Sequence, residues 1–521
     1  MNKRIIAVLL SLIMMFSLAA CTNGGSEPAA ETQPDVAEPT GEPQYKEEIV
    51  IGLASEFDTI DPQGSNADRN FLVQDAVFDL LTDTDLDELV NKGELCETVT
   101  MLEPDLWEFK LYPNVNFHDG TILDTDDVLF TFDRAKESQF CTSYVSQIEE
   151  VIKIDDLTFQ MKLVKPNLDF NYVLANNQLA ILSKEAFESM PEEQAATIGT
   201  GPWKYESYVP GEYVSLVRNE DSTFYETPNT KRLVFKMIPE ASSRLIALQT
   251  GEIDICLDPS ATDFGTIADD KDLNLLQIQG RGLRYIAFNL SKESPFSNEL
   301  VRQAVACAIN RDDIITVATG GYASRANNVL SKGCWGYTDI EGIPEDLEKA
   351  KVLMAEAGYP DGFSTALYYQ NDTERSDIAT VVQAQLAEIG ITAELKGLEA
   401  AAFSEAVVQN GEHEICIGRW TPGLNPDGMF RNSLYSAGGT NYAKCKDAKL
   451  DELLDAAMSE VDVSKRLALY AEIQTYLTEE LIPWVPIYLT VNTVAARADV
   501  EGLKLHPAAL HNFKYVEVLL D

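Results

Sequence analysis

The chain has 521 residues, and its 84 acidic side chains against 40 basic ones give a formal net charge of −44. A chain of this length is too long to fold around a single hydrophobic core, so we predict about two to four domains. The negative field would repel nucleic acid and anionic headgroups, so the composition excludes both as partners of the folded part.

The first 20 residues have the composition of a signal peptide. Lys3 and Arg4 precede an apolar run that is shorter than the roughly 20 residues of a membrane-spanning helix. The L-A-A-C sequence that ends at Cys21 resembles a bacterial lipobox, which implies cleavage before Cys21 and lipid attachment to its sulfur. An uncleaved membrane segment is the alternative. Residues 21–46 are rich in Pro, Glu, Gly and Thr, which predicts a flexible acidic linker.

The first strand is predicted at residues 48–53, E-I-V-I-G-L. It is followed by a loop in which Asp61-Pro62 and Gly64 exclude regular structure.

Four acidic residues, Asp83, Asp85, Asp87 and Glu94, then have the spacing of a calcium-binding EF-hand loop. Glu88 stands where the sharp turn of that loop requires Gly. We interpret the stretch as an acidic turn and predict no metal site.

A hairpin and a capped helix come next. W-E-F-K-L at residues 107–111 alternates as a half-buried strand does, residues 115–117 predict a second short strand, and D-G at 119–120 marks a turn. Asp124 and Asp127 have the spacing of an N-cap and its capping-box partner, so a helix should begin at Asp124.

Residues 107–134 resemble the signature W-x-F-x-L-R-x-x-V-x-F-H-D-G-x-x-x-x-A-x-D-V of the extracellular solute-binding proteins, family 5. This family includes the oligopeptide, dipeptide and nickel-binding receptors of ABC importers. The match departs at Tyr112-Pro113, where the family has Arg, and at Thr125, where it has Ala. Residues 199–202, G-T-G-P, and residues 244–254, R-L-I-A-L-Q-T-G-E-I-D, resemble further family segments.

The resemblance implies an α/β, two-lobed periplasmic-binding-protein-like fold with an extra subdomain in the first lobe. Two crossing strands, expected near residues 284–290 and 483–491, would form its hinge. The expected domains are residues 47–70, 196–288 and 490–521 for the core of lobe I, 71–195 for the extra subdomain, and 289–489 for lobe II.

The implied function is that of an extracytoplasmic lipoprotein on the outer face of the cell membrane. It would capture an oligopeptide or dipeptide by lobe closure and deliver it, as a monomer, to an ABC permease and its ATPase subunits. A nickel chelate, an opine or an oligosaccharide is the alternative solute, and a sensory receptor is the alternative role.

The sequence predicts neither an enzyme nor a cofactor. Its four histidines have no partner at metal-ligand spacing, and it contains no G-x-S-x-G elbow and no P-loop. Gly280-Arg281-Gly282 is only a fragment of the dinucleotide-binding fingerprint. His118, which lies in the signature turn, is predicted to form structural hydrogen bonds.

Seven cysteines follow Cys21, at positions 96, 141, 256, 307, 334, 416 and 445. They contain no C-x-x-C pair, and an odd number leaves at least one unpaired within the chain.

Two segments supply the predicted ligand contacts. Glu56, Phe57 and Asp58 precede a D-P turn that the family shares, and the resemblance places this part of the chain at the binding cleft. An ordinary surface loop is the alternative.

The second segment is R-W-T-P-G-L-N-P-D at residues 419–427. Its predicted ligand contacts are Arg419, Trp420, Thr421, Gly423, Asn425 and Asp427. Peptide-binding members carry, after the Trp, an Asp that pairs with the peptide amine, but alignment on Trp420 puts Pro422 or Gly423 there.

That departure weakens the interpretation of a bound peptide amine, because a desolvated ammonium that lacks its carboxylate costs roughly 2 to 5 kcal/mol. Either Asp427 substitutes from a shifted position or the ligand has no free amine. Arg419 is a candidate partner for a carboxylate, and Trp420 offers a stacking face or lobe packing.

Overall fold

A computed structural model of the protein describes residues 44–85, 90–421, 423 and 425–520. The predicted signal peptide, Cys21, nearly all of the predicted linker and Asp87 lie outside the described residues. Gln44 and Tyr45, the first described residues, pair with Leu520 and Leu519 at the C-terminal end.

The strands are β1 (Gln44–Tyr45), β2 (Glu48–Leu53), β3 (Thr82–Asp85), β4 (Val90–Gly93), β5 (Cys96–Glu103), β6 (Leu106–Leu111), β7 (Ile148–Lys153), β8 (Thr158–Leu163), β9 (Trp203–Val209), β10 (Tyr213–Arg218), β11 (Arg232–Met237), β12 (Ile255–Leu257), β13 (Leu273–Phe288), β14 (Ala323–Arg325), β15 (Phe363–Gln370), β16 (Ile391–Leu398), β17 (Ile415–Trp420), β18 (Trp484–Arg497), β19 (Val500–Glu501) and β20 (Glu517–Leu520).

The α-helices are α1 (Asp68–Val77), α2 (Thr125–Glu137), α3 (Thr142–Val145), α4 (Phe170–Val173), α5 (Lys184–Ser189), α6 (Glu192–Ala195), α7 (Ala241–Gln249), α8 (Phe264–Asp269), α9 (Glu299–Ala308), α10 (Arg311–Thr319), α11 (Leu347–Glu356), α12 (Thr373–Ala387), α13 (Ala400–Phe403), α14 (Pro426–Ser433), α15 (Ala448–Ser459) and α16 (Val463–Thr475). Within the described part of the chain, no helix has both the length and the apolar content to cross a bilayer.

Eleven strands form one mixed sheet, in the order β16-β15-β17-β13-β18-β12-β2-β11-β10-β9, with β14 paired to β18. Parallel pairs lie on both sides of its centre, β15 with β16 and β17 on one side, and β2 with β11 and β12 on the other. Helices alternate with strands between β13 and β18, as the α/β prediction requires.

The long strands β13 and β18 join the two halves of this sheet. Residues 273–279 pair with 491–497, and after a register shift residues 283–287 pair with 484–489. Val494 and Ala496 of β18 belong to a buried cluster around β2 and β11, whereas Val485 and Ile487 belong to a second cluster around β15–β17. The predicted two-lobed fold with two crossing strands is therefore confirmed.

A separate four-stranded antiparallel sheet, β5-β6-β8-β7, lies within the stretch predicted as the extra subdomain. Its core holds Phe109, Val128 and Phe159, so α2 packs on it. Asp124 caps α2 as predicted, because its Oδ1 accepts the N–H of Asp126 at 2.7 Å and the Asp127 carboxylate accepts the N–H of Asp124 at 2.9 Å. The strand predicted at residues 115–117 is reduced to one bridge, Asn116 to Ile122.

The H-D-G turn and the G-T-G segment meet in space although about 80 residues separate them. Gly199 N–H donates to Nδ1 of His118 at 3.2 Å, and Nε2 lies 3.0 Å from the carbonyl oxygen of Gly201. The ring therefore carries its proton on Nε2. A Cβ at Gly199 would lie 2.0 Å from the carbonyl oxygen of Val77, so only glycine permits this approach to the end of α1.

The neutral ring of His118 generates a pH prediction, since burial lowers its pKa to about 4. The unfolded value is about 6.5, so the stabilisation is complete above that pH and is lost as pH falls toward 4, by about 1.4 kcal/mol per unit. We expect His118→Asn to be more destabilising at about pH 7.5 than at about pH 5.

Urea unfolding of both proteins, followed by circular dichroism at the two pH values, measures the difference in the free energy of unfolding. Other titrating groups contribute equally to both proteins and cancel. A difference that is the same at both pH values would contradict the neutral ring.

Candidate ligand-binding site

The first predicted ligand segment follows β2 and is tied to its own lobe. Phe57 is 1% exposed, and its ring packs against Tyr208 of β9 at a centroid distance of 5.2 Å. The hydroxyl of Tyr208 donates to the carbonyl oxygen of Phe57 at 2.7 Å and lies 3.3 Å from Oε1 of Glu56. Phe57 is therefore a core residue in this structure.

The carboxylates on either side of Phe57 are exposed. Asp58 forms an ion pair with Arg69 at the start of α1, and its backbone N–H donates to Oδ1 of Asn70 at 3.0 Å. Among the described residues, the Glu56 carboxylate has a polar contact with Tyr208 alone. Of the three predicted residues in this segment, Glu56 and Asp58 are the two with exposed side chains.

The second predicted segment begins at the end of β17, where Arg419 is paired with Arg284 and Trp420 with Leu283 of β13. The side chain of Arg419 is exposed and has no hydrogen bond or ion pair with any described residue. Trp420 is half-buried against the core of predicted lobe II, and its Nε1 is buried without a partner among the described residues. Both side chains therefore retain unused donors.

The loop beyond Trp420 leads into α14. Thr421 and Gly423 are exposed, while Pro422 and Leu424 lie outside the described residues. The carbonyl oxygen of Gly423 is 3.4 Å from Sγ of Cys334, which ties the loop to residues 331–334.

Asn425 and Asp427 have roles within α14. Asn425 is the N-cap, since its Oδ1 accepts the N–H of Asp427 at 2.8 Å. Nε of Arg431 donates to both carboxylate oxygens of Asp427, at 3.0 and 3.1 Å. Burial raises the pKa of Asp427 in spite of this partner. An amine bound by Asp427 would therefore compete with Arg431.

A group of charged residues that the sequence did not suggest lies beside Arg419. Arg284 donates to Oε2 of Glu374 through Nε at 3.0 Å and Nη2 at 2.9 Å, and the hydroxyl of Tyr488 donates to Oε1 at 2.7 Å. Burial alone would raise the pKa of Asp372, but hydrogen bonds from Arg375, with a smaller effect of Arg419, hold it below its usual range. Arg419 thus lies beside a polar cluster at the start of α12.

No hydrogen bond, ion pair or ring contact among the described residues joins residues 56–58 to residues 419–427. In the stretch interpreted as an acidic turn, residues 82–85 of β3 pair antiparallel with residues 90–93 of β4. The described residues contain no group of three or more His, Cys, Asp or Glu placed to hold a metal ion. All seven described cysteines are buried free thiols.

Comparison with known proteins gives the same family for sequence and fold. The family model of bacterial extracellular solute-binding proteins, family 5 (middle region), matches residues 92–442. The dipeptide-binding protein of Escherichia coli K12 is 30% identical over 443 residues, which cover 78% of this chain and 81% of that protein. The heme-binding protein A of Haemophilus influenzae is also 30% identical, over 447 residues that cover 79% and 81%.

Among solved structures, HbpA2 from Haemophilus parasuis superposes with a TM-score of 0.84 at 28% identity, covering 91% of this chain and all of that one. Family 5 proteins are carriers of solutes for ABC transporters rather than enzymes. Two lobes joined by β13 and β18, the match over residues 92–442 and the two curated relatives agree: the chain belongs to the bacterial extracellular solute-binding proteins, family 5.

Proposed function

We propose that this protein is a lipoprotein, attached to the membrane through Cys21, that captures a peptide between its lobes and delivers it to an ABC permease. The dipeptide-binding protein of Escherichia coli supports the peptide as ligand. The unused donors of Arg419 and Trp420 at one end of β17 support a site there, because a peptide presents carbonyl oxygens and a carboxylate to such donors.

Haem is the second candidate solute, since a haem-binding relative is equally similar to this chain. A peptide and haem differ in the polar groups that they require. A peptide could use both the carboxylate acceptors of the first predicted segment and the donors of the second. A porphyrin would need a broad apolar face, and Trp420 is the only aromatic residue of the second segment.

The test is mass spectrometry of the small molecule that copurifies with the protein, followed by thermal unfolding with candidate solutes. A ligand that binds the folded state raises the melting temperature by mass action. We expect a peptide to copurify and synthetic copies of it to raise the melting temperature. Recovery of haem, or of no peptide together with no shift by any peptide, would contradict the proposal.

The half-buried Trp420 generates a second prediction. Trp420→Ala should weaken peptide binding, because peptide planes that stack on an indole lose that contact area, while the protein remains folded. The matched control is Tyr359→Ala, which removes a half-buried aromatic residue that packs on Phe363. Unchanged affinity by calorimetry in the Trp420 variant would remove this residue from the site.

One buried ion pair joins the predicted extra subdomain of lobe I to predicted lobe II. Nη1 of Arg466 donates to Oδ1 of Asp169 at 2.6 Å, and Nη2 donates to Oδ2. Their side chains are only 6% and 9% exposed. The guanidinium also lies 5.1 Å from the centroid of the Trp335 ring. Movement of the lobes would expose this pair to water.

We therefore expect Asp169→Asn to shift the ligand-free protein away from this arrangement of the lobes. Removing one member of a buried pair costs about 3 to 5 kcal/mol in the arrangement that buries it, and much less where the other member is hydrated. Small-angle scattering should give a changed radius of gyration. Glu97→Gln, which breaks the exposed pair with Lys110, is the control, and identical scattering curves for all three proteins would contradict the proposed interlobe role.

A further inference from the structure

Arg281 differs from every other buried arginine in the described part of the chain. Arginine is buried at seven positions, and six of these side chains donate to carboxylates or backbone carbonyls: Arg244, Arg284, Arg302, Arg311, Arg375 and Arg466. Arg281 is 5% exposed, its Nε and Nη1 are buried without a partner, and no described carboxylate forms an ion pair with it. A buried cation without a counter-ion is costly, so the position requires an explanation.

A bulge in β13 determines the position of the Arg281 side chain. Gln279 pairs with Val491 and Leu283 with Leu489, so residues 280–282 together face only Thr490 of β18. A Cβ at Gly280 or Gly282 would lie 2.6 or 2.7 Å from Oγ1 of Thr490. The two glycines therefore permit a close approach of the strands, and the bulge redirects the residue between them, as bulges beside functional sites do.

The surroundings of Arg281 come from three parts of the chain. Its backbone N–H donates to the carbonyl oxygen of Pro507 at 3.1 Å, and its own carbonyl oxygen accepts from Oγ of Ser331 at 2.6 Å. Burial, and then the charge of Arg281, lowers the pKa of the nearby His506 to about 3. The backbone of Arg281 is thus satisfied while its guanidinium is not.

Arg281 also lies next to the second predicted ligand segment. Burial lowers the pKa of Arg281, and Cys334 lies near its guanidinium. Sγ of Cys334 in turn contacts the carbonyl oxygen of Gly423. Trp420, whose Nε1 is a second buried donor without an acceptor, is paired with Leu283, two residues from Arg281. Two unsatisfied donors therefore come from neighbouring strands at the start of the loop.

We propose that Arg281 is the anion-binding residue of the ligand site and that it binds a carboxylate of the solute, with Nε1 of Trp420 as an additional donor. A carboxylate supplies two acceptor oxygens and the missing negative charge, and it suits the planar fork of a guanidinium. This inference rests on the proposed function in that it places the solute beside residues 419–427. It adds the requirement that the solute carry a carboxylate, which both the C-terminus of a peptide and the propionates of haem satisfy.

The test uses the full mature chain, freed of copurified solute by unfolding and refolding, as wild type, Arg281→Met and Arg302→Met. Arg302 is the matched control because it is equally buried and donates to the carbonyl oxygens of Phe296, Ser297 and Leu481. The probes are a random tripeptide mixture as free acids and as C-terminal amides, haemin and its dimethyl ester, and sodium acetate against sodium chloride.

We expect the wild type to prefer free acids over amides by about 10- to 100-fold, the usual range for a charge-assisted hydrogen bond, and Arg281→Met to lose this preference. The ligand-free melting temperature of Arg281→Met should equal or exceed that of the wild type, whereas Arg302→Met should melt lower. A preference for haemin over its ester, lost in Arg281→Met, would support the carboxylate site while contradicting the peptide.

Three results would overturn the inference: an equal affinity of the wild type for acids and amides that both bind, a preference that persists in Arg281→Met, or a melting temperature of Arg281→Met as low as that of Arg302→Met. If neither tripeptides nor haemin bind, acetate decides. A rise in melting temperature with acetate that exceeds the rise with chloride in the wild type but not in Arg281→Met supports the site, and equal rises in both proteins overturn it.

Discussion

The pairing of β13 with β18 is the interaction on which the rest of the structure depends. Each strand contributes to both buried clusters, so the backbone hydrogen bonds between them hold two cores in one sheet. The pairing changes register opposite Thr490, where β13 carries three residues against one. A regular ladder would fix the angle between the two halves, whereas a bulge at this place gives the sheet a local bend and increased twist.

The same place contains buried donors that have no acceptor among the described residues. The buried arginines farther from it, Arg244 and Arg302, are each surrounded by backbone carbonyl oxygens. Near the bulge, Arg281 and Trp420 lack acceptors and Arg419 lacks an ion-pair partner. Buried donors in folded proteins nearly always have acceptors, so these unpaired donors are the basis for our proposal that a solute binds here.

Local signals in the sequence were sufficient for the elements that short-range physics determines. The capping box of Asp124 and Asp127 and the strand at residues 107–111 are both formed as predicted. The family could also be identified from the sequence, because its motifs contain residues that contact one another, such as His118 with Gly199 and Gly201. The close approach of the H-D-G turn to the G-T-G segment requires these residue types. Each motif can be recognised in the sequence, but neither shows that it contacts the other.

The details of the candidate site were less accessible for the same physical reason. Phe57 follows a strand and lies in a loop sequence, which predicts an exposed residue. In the structure, Tyr208 of β9 packs against its ring, and a contact between residues so far apart in the chain cannot be predicted from local sequence. The ligand-binding roles of residues 56–58 and 419–427 remain predictions. The isolation of Arg281 depends on which residue of β18 faces the bulge, and the register of strands 200 residues apart cannot be predicted from local pattern.

The C-terminal residues close the core that the earliest strands begin. Phe513, Val516 and Val518 belong to the cluster of Ile49 and Ile51, and Nζ of Lys514 lies 2.8 Å from Asp79 and 3.0 Å from Glu94. The strands near residue 50 therefore lack a complete interior until residues 513–518 pack against them. Such long-range closure slows folding.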